Sequence, residues 1–240
     1  MPEAQRRPDS CAGALLSAPA TEPPPMTLRL LLLTLLFALC AAAPAFAQDS
    51  DGLVEGRDYV VIAGGAPLQA TKGKIEVVEV FAYWCHVCND FQPLVDAWTK
   101  KLPRDVAFRY LPAAFSPTDR LARAYFAAES MGKLARTHNA TFRAIHDEQS
   151  LPARNASVAE IGTLYASLGV DADRLAAAMQ SEATDARMRA AREFIVGAGV
   201  EGTPSMIVNG KYRVIGRSLA DILRHTDLLV ARERAAAKAR

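Results

Sequence analysis

The sequence predicts an α/β fold, a central mixed sheet flanked by helices, with an all-helical segment inserted into it. Three observations predict it. An apolar run from Lys74 to Tyr83 ends in Cys85-His86-Val87-Cys88 and passes straight into a segment with helical spacing. A second β-type run, Val106 to Leu111, follows, and strand, helix, strand in one sheet cross over right-handed with the strands parallel. Near the C-terminus Asn209-Gly210 separates two further β runs, the strongest hairpin signal in the chain, so antiparallel strands join the parallel pair.

Taken in order, Tyr59-Val60-Val61-Ile62, closed by Gly64-Gly65, makes one short strand. Ile75, Val77, Val78, Val80 and Phe81 form a nearly continuous apolar run enclosing Glu76 and Glu79, the pattern of a strand buried on both faces. Val87, Phe91, Leu94, Val95, Trp98 and Leu102 then share one helical face, with Pro93 inside the helix removing a hydrogen bond. After Pro112 the chain turns Ala-rich and helical. Ser116-Pro117-Thr118-Asp119 and Ser157-Val158-Ala159-Glu160 read as capping-box starts, and Ile161, Leu164, Tyr165 and Leu168 keep a 3.6-residue stripe. A longer helix, Ala183 to Val196, stops at Gly197 and Gly199. Ser205–Val208 and Lys211–Ile215 are the hairpin strands, and Leu219, Ile222, Leu223, Leu229 and Val230 line a final amphipathic helix. The expected division is 1–47 as leader, 48–113 with 182–240 as the sheet domain, and 114–181 as the helical insert.

The N-terminus reads as an export signal. Arg29 precedes the apolar run Leu30 to Ala43, and Ala45-Phe46-Ala47 supplies the small-x-small pattern of a signal-peptidase site, so a signal over 26–47 is expected to be cut before Gln48. An uncleaved anchor is the competing reading, but about 14 apolar residues fall short of a bilayer span. Residues 1–25 are what no signal needs, and Met26 is the expected start. Arg6-Arg7 lies too far from the apolar core for a twin-arginine signal, and Leu39 before Cys40 argues against lipidation.

The 240-residue chain carries a net charge of +2, and residues 1–47 hold three basic and three acidic residues, so export leaves the balance unchanged. No field selects nucleic acid or an anionic membrane. Of four cysteines, Cys11 and Cys40 leave with the leader, so Cys85 and Cys88 pair with each other or stay free. A structural zinc site or a four-cysteine iron–sulfur cluster needs a second pair that the chain lacks. His138, His146 and His225 lack metal-ligand spacing and read as surface or packing histidines. In an exported protein a single CxxC points to redox work.

The placement of the dithiol adds chemistry. The first turn of a helix has unpaired N–H groups and the positive end of the dipole, which favour a thiolate on Cys85, and residues three apart face the same side, so Cys88 reaches back to close the bond. A stabilised thiolate is a good leaving group, and such a pair tends to give its disulfide away.

Val80-Phe81-Ala82-Tyr83-Trp84-Cys85-His86-Val87-Cys88, with Val200-Glu201-Gly202-Thr203-Pro204 and Val208-Asn209-Gly210-Lys211-Tyr212, resembles the DsbA-like thiol:disulfide interchange proteins, a thioredoxin-like fold with a helical insertion. The likeness spans about 55–235. It implies that Cys85 is the exposed sulfur attacked by substrate and Cys88 the buried resolving one. It implies that Pro204 is cis beside the dithiol, with the Thr203 backbone offering hydrogen bonds to an extended substrate; as a bare dipeptide Thr203-Pro204 reads as a helix-to-strand stop, and its position just before a hairpin in a CxxC protein turns the expectation to cis. It implies that Glu79 lies beneath the dithiol as a proton acceptor with Arg109 as basic partner, whereas a Glu79 facing solvent at a sheet end is the alternative. The family usually has Pro-His inside the CxxC. His86-Val87 departs from it, so His86 either supports the Cys85 sulfur or faces solvent, and Trp84 either offers an apolar surface to clients or simply packs.

The function this implies is a periplasmic, monomeric dithiol oxidase, without dissociable cofactor or metal. It would introduce disulfides into reduced, unfolded exported proteins and be reoxidised by a DsbB-type membrane quinone reductase, with no nucleic acid involved. A reductase or isomerase of the same fold is the alternative. Such isomerases carry an N-terminal dimerisation domain, and only Gln48 to Gly73 precede the central strand here. A Cu(I)-binding thiol module is a third reading, weakened because Met131, Met179 and Met188 lie far from the dithiol in sequence.

Overall fold

The computed structural model describes residues 52–239. The expected signal at 26–47, its cleavage site, the start at Met26, and Cys11 and Cys40 lie outside the described residues.

The observed order is β1 (Tyr59–Val61), β2 (Ile75–Phe81), α1 (His86–Thr99), β3 (Val106–Pro112), α2 (Arg120–Ser130), α3 (Leu134–His146), α4 (Val158–Ser167), α5 (Ala172–Met179), α6 (Glu182–Gly197), β4 (Ser205–Val208), β5 (Tyr212–Val214) and α7 (Leu219–Lys238). The five strands form one sheet in the order β1-β5-β4-β2-β3. β2 and β3 pair parallel and the other neighbours antiparallel, as the crossover and hairpin signals require. This is the central mixed sheet flanked by helices, with an all-helical segment inserted after β3, that the sequence predicts.

All seven residues of β2 are buried, so its alternation sorts side chains between two apolar clusters rather than between core and water. Ile75 and Val77 pack with Phe91 and Val95 of α1 and Leu229 of α7. Val78 and Val80 pack with the helical insert, in a cluster that runs on through Tyr125, Phe142, Tyr165 and Leu175. The insert therefore shares one continuous core with the end of β2, where Phe81 and Tyr83 stand edge-on to each other and to rings of α2 and α3.

Two local expectations shift by a few residues. α2 is capped by Asp119, whose Oδ1 accepts the N–H of Leu121 and of Ala122, and not by Ser116, whose hydroxyl stays in its own turn with Thr118. Asp is a strong cap in its own right, and the Ser116 pattern lacked the Glu or Gln that completes a box. Ser157 and Glu160 do form the reciprocal box at α4. In the hairpin Val208 pairs with Tyr212, so Lys211 belongs to the turn. Asn209 and Gly210 both take positive φ, and a Cβ on Gly210 would sit 1.9 Å from the Ala66 carbonyl oxygen, so the turn needs glycine there for space as well as conformation.

Candidate functional site: a polarised dithiol at the end of β2

Antiparallel pairing of β2 with β4 matches Val80 to Ser205. The residues just before β4, Thr203 and Pro204, are thereby laid beside those just after β2, which lead to Cys85. The Thr203–Pro204 peptide is cis.

Cys85 is the N-cap of α1, in extended backbone (φ −88, ψ 113), and its sulfur accepts the backbone N–H of Cys88 at 3.3 Å. As a thiol it donates instead to the Thr203 carbonyl oxygen at 3.3 Å. Both thiols are free. Cys88 is fully buried and Cys85 is 8 % exposed, so the sulfur expected to be the exposed one is itself mostly covered by neighbouring chain.

The two sulfurs titrate in opposite directions. The Cys88 thiol beside Cys85 is the largest cause of a Cys85 pKa lowered to about 5, helped by the Thr203 side chain and by backbone N–H groups of Cys88 and Val87, against a burial penalty. The bond with the Cys85 sulfur, together with burial, drives the Cys88 pKa well up. The proton of the pair stays on Cys88 and the charge on Cys85.

His86 is exposed and, among the described residues, forms no hydrogen bond to the sulfur. The solvent-facing alternative is the observed one, because the N-cap turn aims backbone N–H groups at Cys85 and sends the next side chain outward.

Glu79 is fully buried and neither carboxyl oxygen has a partner among the described residues. Burial, then the charges of Asp96 and Cys85, push its pKa well up. The expected pair with Arg109 is not formed. In the parallel register Glu79 lies opposite Tyr110, and Arg109 opposite Val78, so Arg109 points to the other face of the sheet. There its Nε donates to Glu76 at 3.1 Å. In place of a cation the Glu79 face of β3 offers Tyr110, whose hydroxyl donates to Gln92 at 3.4 Å.

Sequence reasoning missed the supports around the dithiol. Tyr83 is fixed twice from α3. Its hydroxyl shares a 3.0 Å hydrogen bond with His138 Nδ1, and its carbonyl oxygen bonds His146 Nε2 at 2.8 Å. Burial lowers the His138 pKa to about 3, so this ring is neutral. Both histidines pack, as expected, but they do so on the approach to Cys85, and eight-residue spacing on one helix was the signal available. His225 is likewise buried, bonded to the Ile215 carbonyl. Trp84 is half-buried, and its Nε1–H donates to Asp119 at 3.3 Å. Among the described residues no cluster of three or more His, Cys, Asp or Glu side chains is placed to hold a metal ion, and no helix is long and apolar enough to cross a membrane.

An acidic thiol capping a helix next to a second thiol that keeps its proton is what two-electron sulfur exchange requires, and on this fold it defines a thiol:disulfide oxidoreductase of the thioredoxin class. The family model for the DSBA-like thioredoxin domain matches residues 76–226, and the chain belongs to that family. The thiol:disulfide interchange protein DsbA of Pseudomonas aeruginosa is 37% identical over 215 residues, 88% of this chain and 100% of that protein. The Azotobacter vinelandii DsbA is 35% identical over 207 residues, 85% of this chain and 94% of its own length. Among solved structures, the oxidoreductase DsbA from Xylella fastidiosa superposes with a TM-score of 0.74 at 42% identity, covering 76% of this chain and 98% of that one. The chain is accordingly an enzyme, a thiol:disulfide oxidoreductase of the dithiol-oxidase kind, from a family that works through its own cysteine pair.

Proposed function

We propose that this protein donates the Cys85–Cys88 disulfide to newly exported, reduced proteins in the periplasm, as a monomer, after a signal over 26–47 is removed. The opposed titration of the two sulfurs carries the reading. A client thiolate attacks the Cys85 sulfur, the Cys85–Cys88 bond breaks, and Cys88 leaves with the electron pair. Its high pKa makes it take up a proton at once, and the protonated Glu79 beneath is the proposed source. A second client thiolate then attacks the client sulfur of the mixed disulfide, and Cys85 leaves as the stable thiolate. The client gains one disulfide and the protein two electrons, which a DsbB-type membrane quinone reductase would remove.

In this reading Cys85 and Cys88 react, Thr203 and Pro204 wall the sulfur and meet the client backbone, and His86 acts only as a solvent-side neighbour. The proposed domains are 48–113 with 182–240, and 114–181, joined through the shared core around Phe81. Incubating the oxidised 48–240 protein with a reduced, unfolded two-cysteine protein tests it. One client disulfide should form per protein reduced, and none with Cys85→Ser; retained exchange in that variant would contradict the mechanism. N-terminal sequencing of the exported form should begin at Gln48, and a start elsewhere would contradict the proposed cleavage.

A further inference from the structure

Beside the dithiol lies a cavity of about 320 Å³ whose lining includes Trp84, Ser116, Asp119, Arg120, Arg154 and Asn155. Trp84 is the residue before Cys85, and adjacent Cα atoms are about 3.8 Å apart, so a chain bonded to Cys85 passes within a few residues of this opening.

Its charge is lopsided. Asp119 is the one carboxylate in the lining, and both of its oxygens are committed. Oδ1 accepts from Leu121 and Ala122 at 2.9 and 3.1 Å, and Oδ2 accepts the Trp84 indole N–H at 3.3 Å. The two guanidinium groups are not neutralised. Arg120 reaches only a carbonyl oxygen, that of Ala156, at 3.4 Å, and Arg154 lies over the Trp84 ring, 5.5 Å from its centroid. Among the described residues neither forms an ion pair, and both side chains are exposed. The other arginine of α2 near this loop, Arg123, is spent on Asp185 and the Met179 carbonyl. The stacking holds Arg154 in one place without using its N–H donors, which leaves a planar fork free for a carboxylate.

We infer that this cavity is a client subsite for an acidic side chain, Asp or Glu, roughly two to four residues from the cysteine that attacks Cys85 at about 3.3 Å of extended chain per residue. The Trp84 ring takes the apolar stem of that side chain and Arg120 with Arg154 take its carboxylate. The subsite gives the enzyme a preference among clients by the charge beside their cysteines. It rests on the disulfide-donor reading above and adds to it a rule for which thiols are oxidised first.

The test is a set of two-cysteine peptides carrying Glu, Gln or Lys three residues from the attacking cysteine, with second-order oxidation rates measured by stopped flow. The expected order at low ionic strength is Glu, then Gln, then Lys, spanning about fivefold, and the span closes as salt is raised. Arg120→Ser with Arg154→Ser should collapse the span, and Arg154→Glu should reverse it. Equal rates for the three peptides, or an order that survives both variants, overturns the subsite while leaving the donor reading intact. Failure to oxidise any peptide removes the donor reading and the subsite with it.

Discussion

Two glutamates on β2, three residues apart, have opposite fates. Glu76 is 2 % exposed and fully partnered: its two oxygens accept the N–H groups of Leu68 and Gln69 at 2.7 and 2.9 Å, and Arg109 adds a charged bond. Glu79 is wholly buried and has no partner on either oxygen among the described residues. A buried carboxylate that collects donors ties segments together, here the 66–69 loop, β2 and β3. One left without donors gives up its charge instead and holds a proton. The strand thus carries a clamp at one end and, at the end that leads to the dithiol, a buried carboxyl whose pKa is raised.

The comparison breaks most visibly at the sulfurs. Cys88→Ala, which leaves Cys85 without the partner that makes its disulfide, should abolish oxidation of a reduced two-cysteine client entirely, read as client thiols that stay open to alkylation. Next comes the clamp. Glu76→Ala leaves two backbone N–H groups and a partly buried guanidinium without their acceptor, and should cost about 3 kcal/mol, a fall of roughly 6–12 °C in melting temperature, seen by calorimetry.

Glu79 should respond the other way. Its folded pKa is raised, so the native state keeps a proton that the unfolded chain releases above about 4.5, the ordinary glutamate value. Stability from that group is therefore full below that value and is lost as pH rises towards the folded pKa. Glu79→Leu should stabilise the protein at pH 7 by about 1–3 kcal/mol, and by less at pH 4, in melts run at the two pH values. A destabilised Glu79→Leu at pH 7 would mean that the carboxyl has donors after all.

The thiolate sets a second pH window. Cys85 has a depressed pKa, so its contribution to the reduced form is complete above the unfolded thiol value near 9 and disappears as pH falls through about 5. Absorbance of the thiolate at 240 nm should titrate with a midpoint of about 5. The smallest effect belongs to His86→Ser. The exposed ring touches no sulfur, so this change should move the midpoint by less than about half a pH unit.

What the sequence made legible follows the same division. The order of elements, the dithiol at a helix start and the Asn209-Gly210 turn are local patterns, each written in a few consecutive residues, and all were readable. The Glu79 partner was not, because it depends on register across two strands. A choice of Arg109 over Tyr110 is a one-residue slip, and in a sheet one residue is the opposite face. The grip of His138 and His146 on Tyr83 was equally out of reach, since it needs the insert folded back over the end of β2. The family resemblance supplied a buried acid on β2 and, as its partner, a cation where this chain places a phenol.

The most direct test of the account is the equilibrium of the Cys85/Cys88 pair with glutathione buffers at pH 7, read by thiol alkylation. Stabilisation of the reduced form through the Cys85 thiolate predicts a potential more oxidising than about −180 mV, so that the protein gives its disulfide away. A value near about −270 mV, where thioredoxin lies, would mean that the thiolate is not preferentially stabilised, and it would contradict the disulfide-donor assignment.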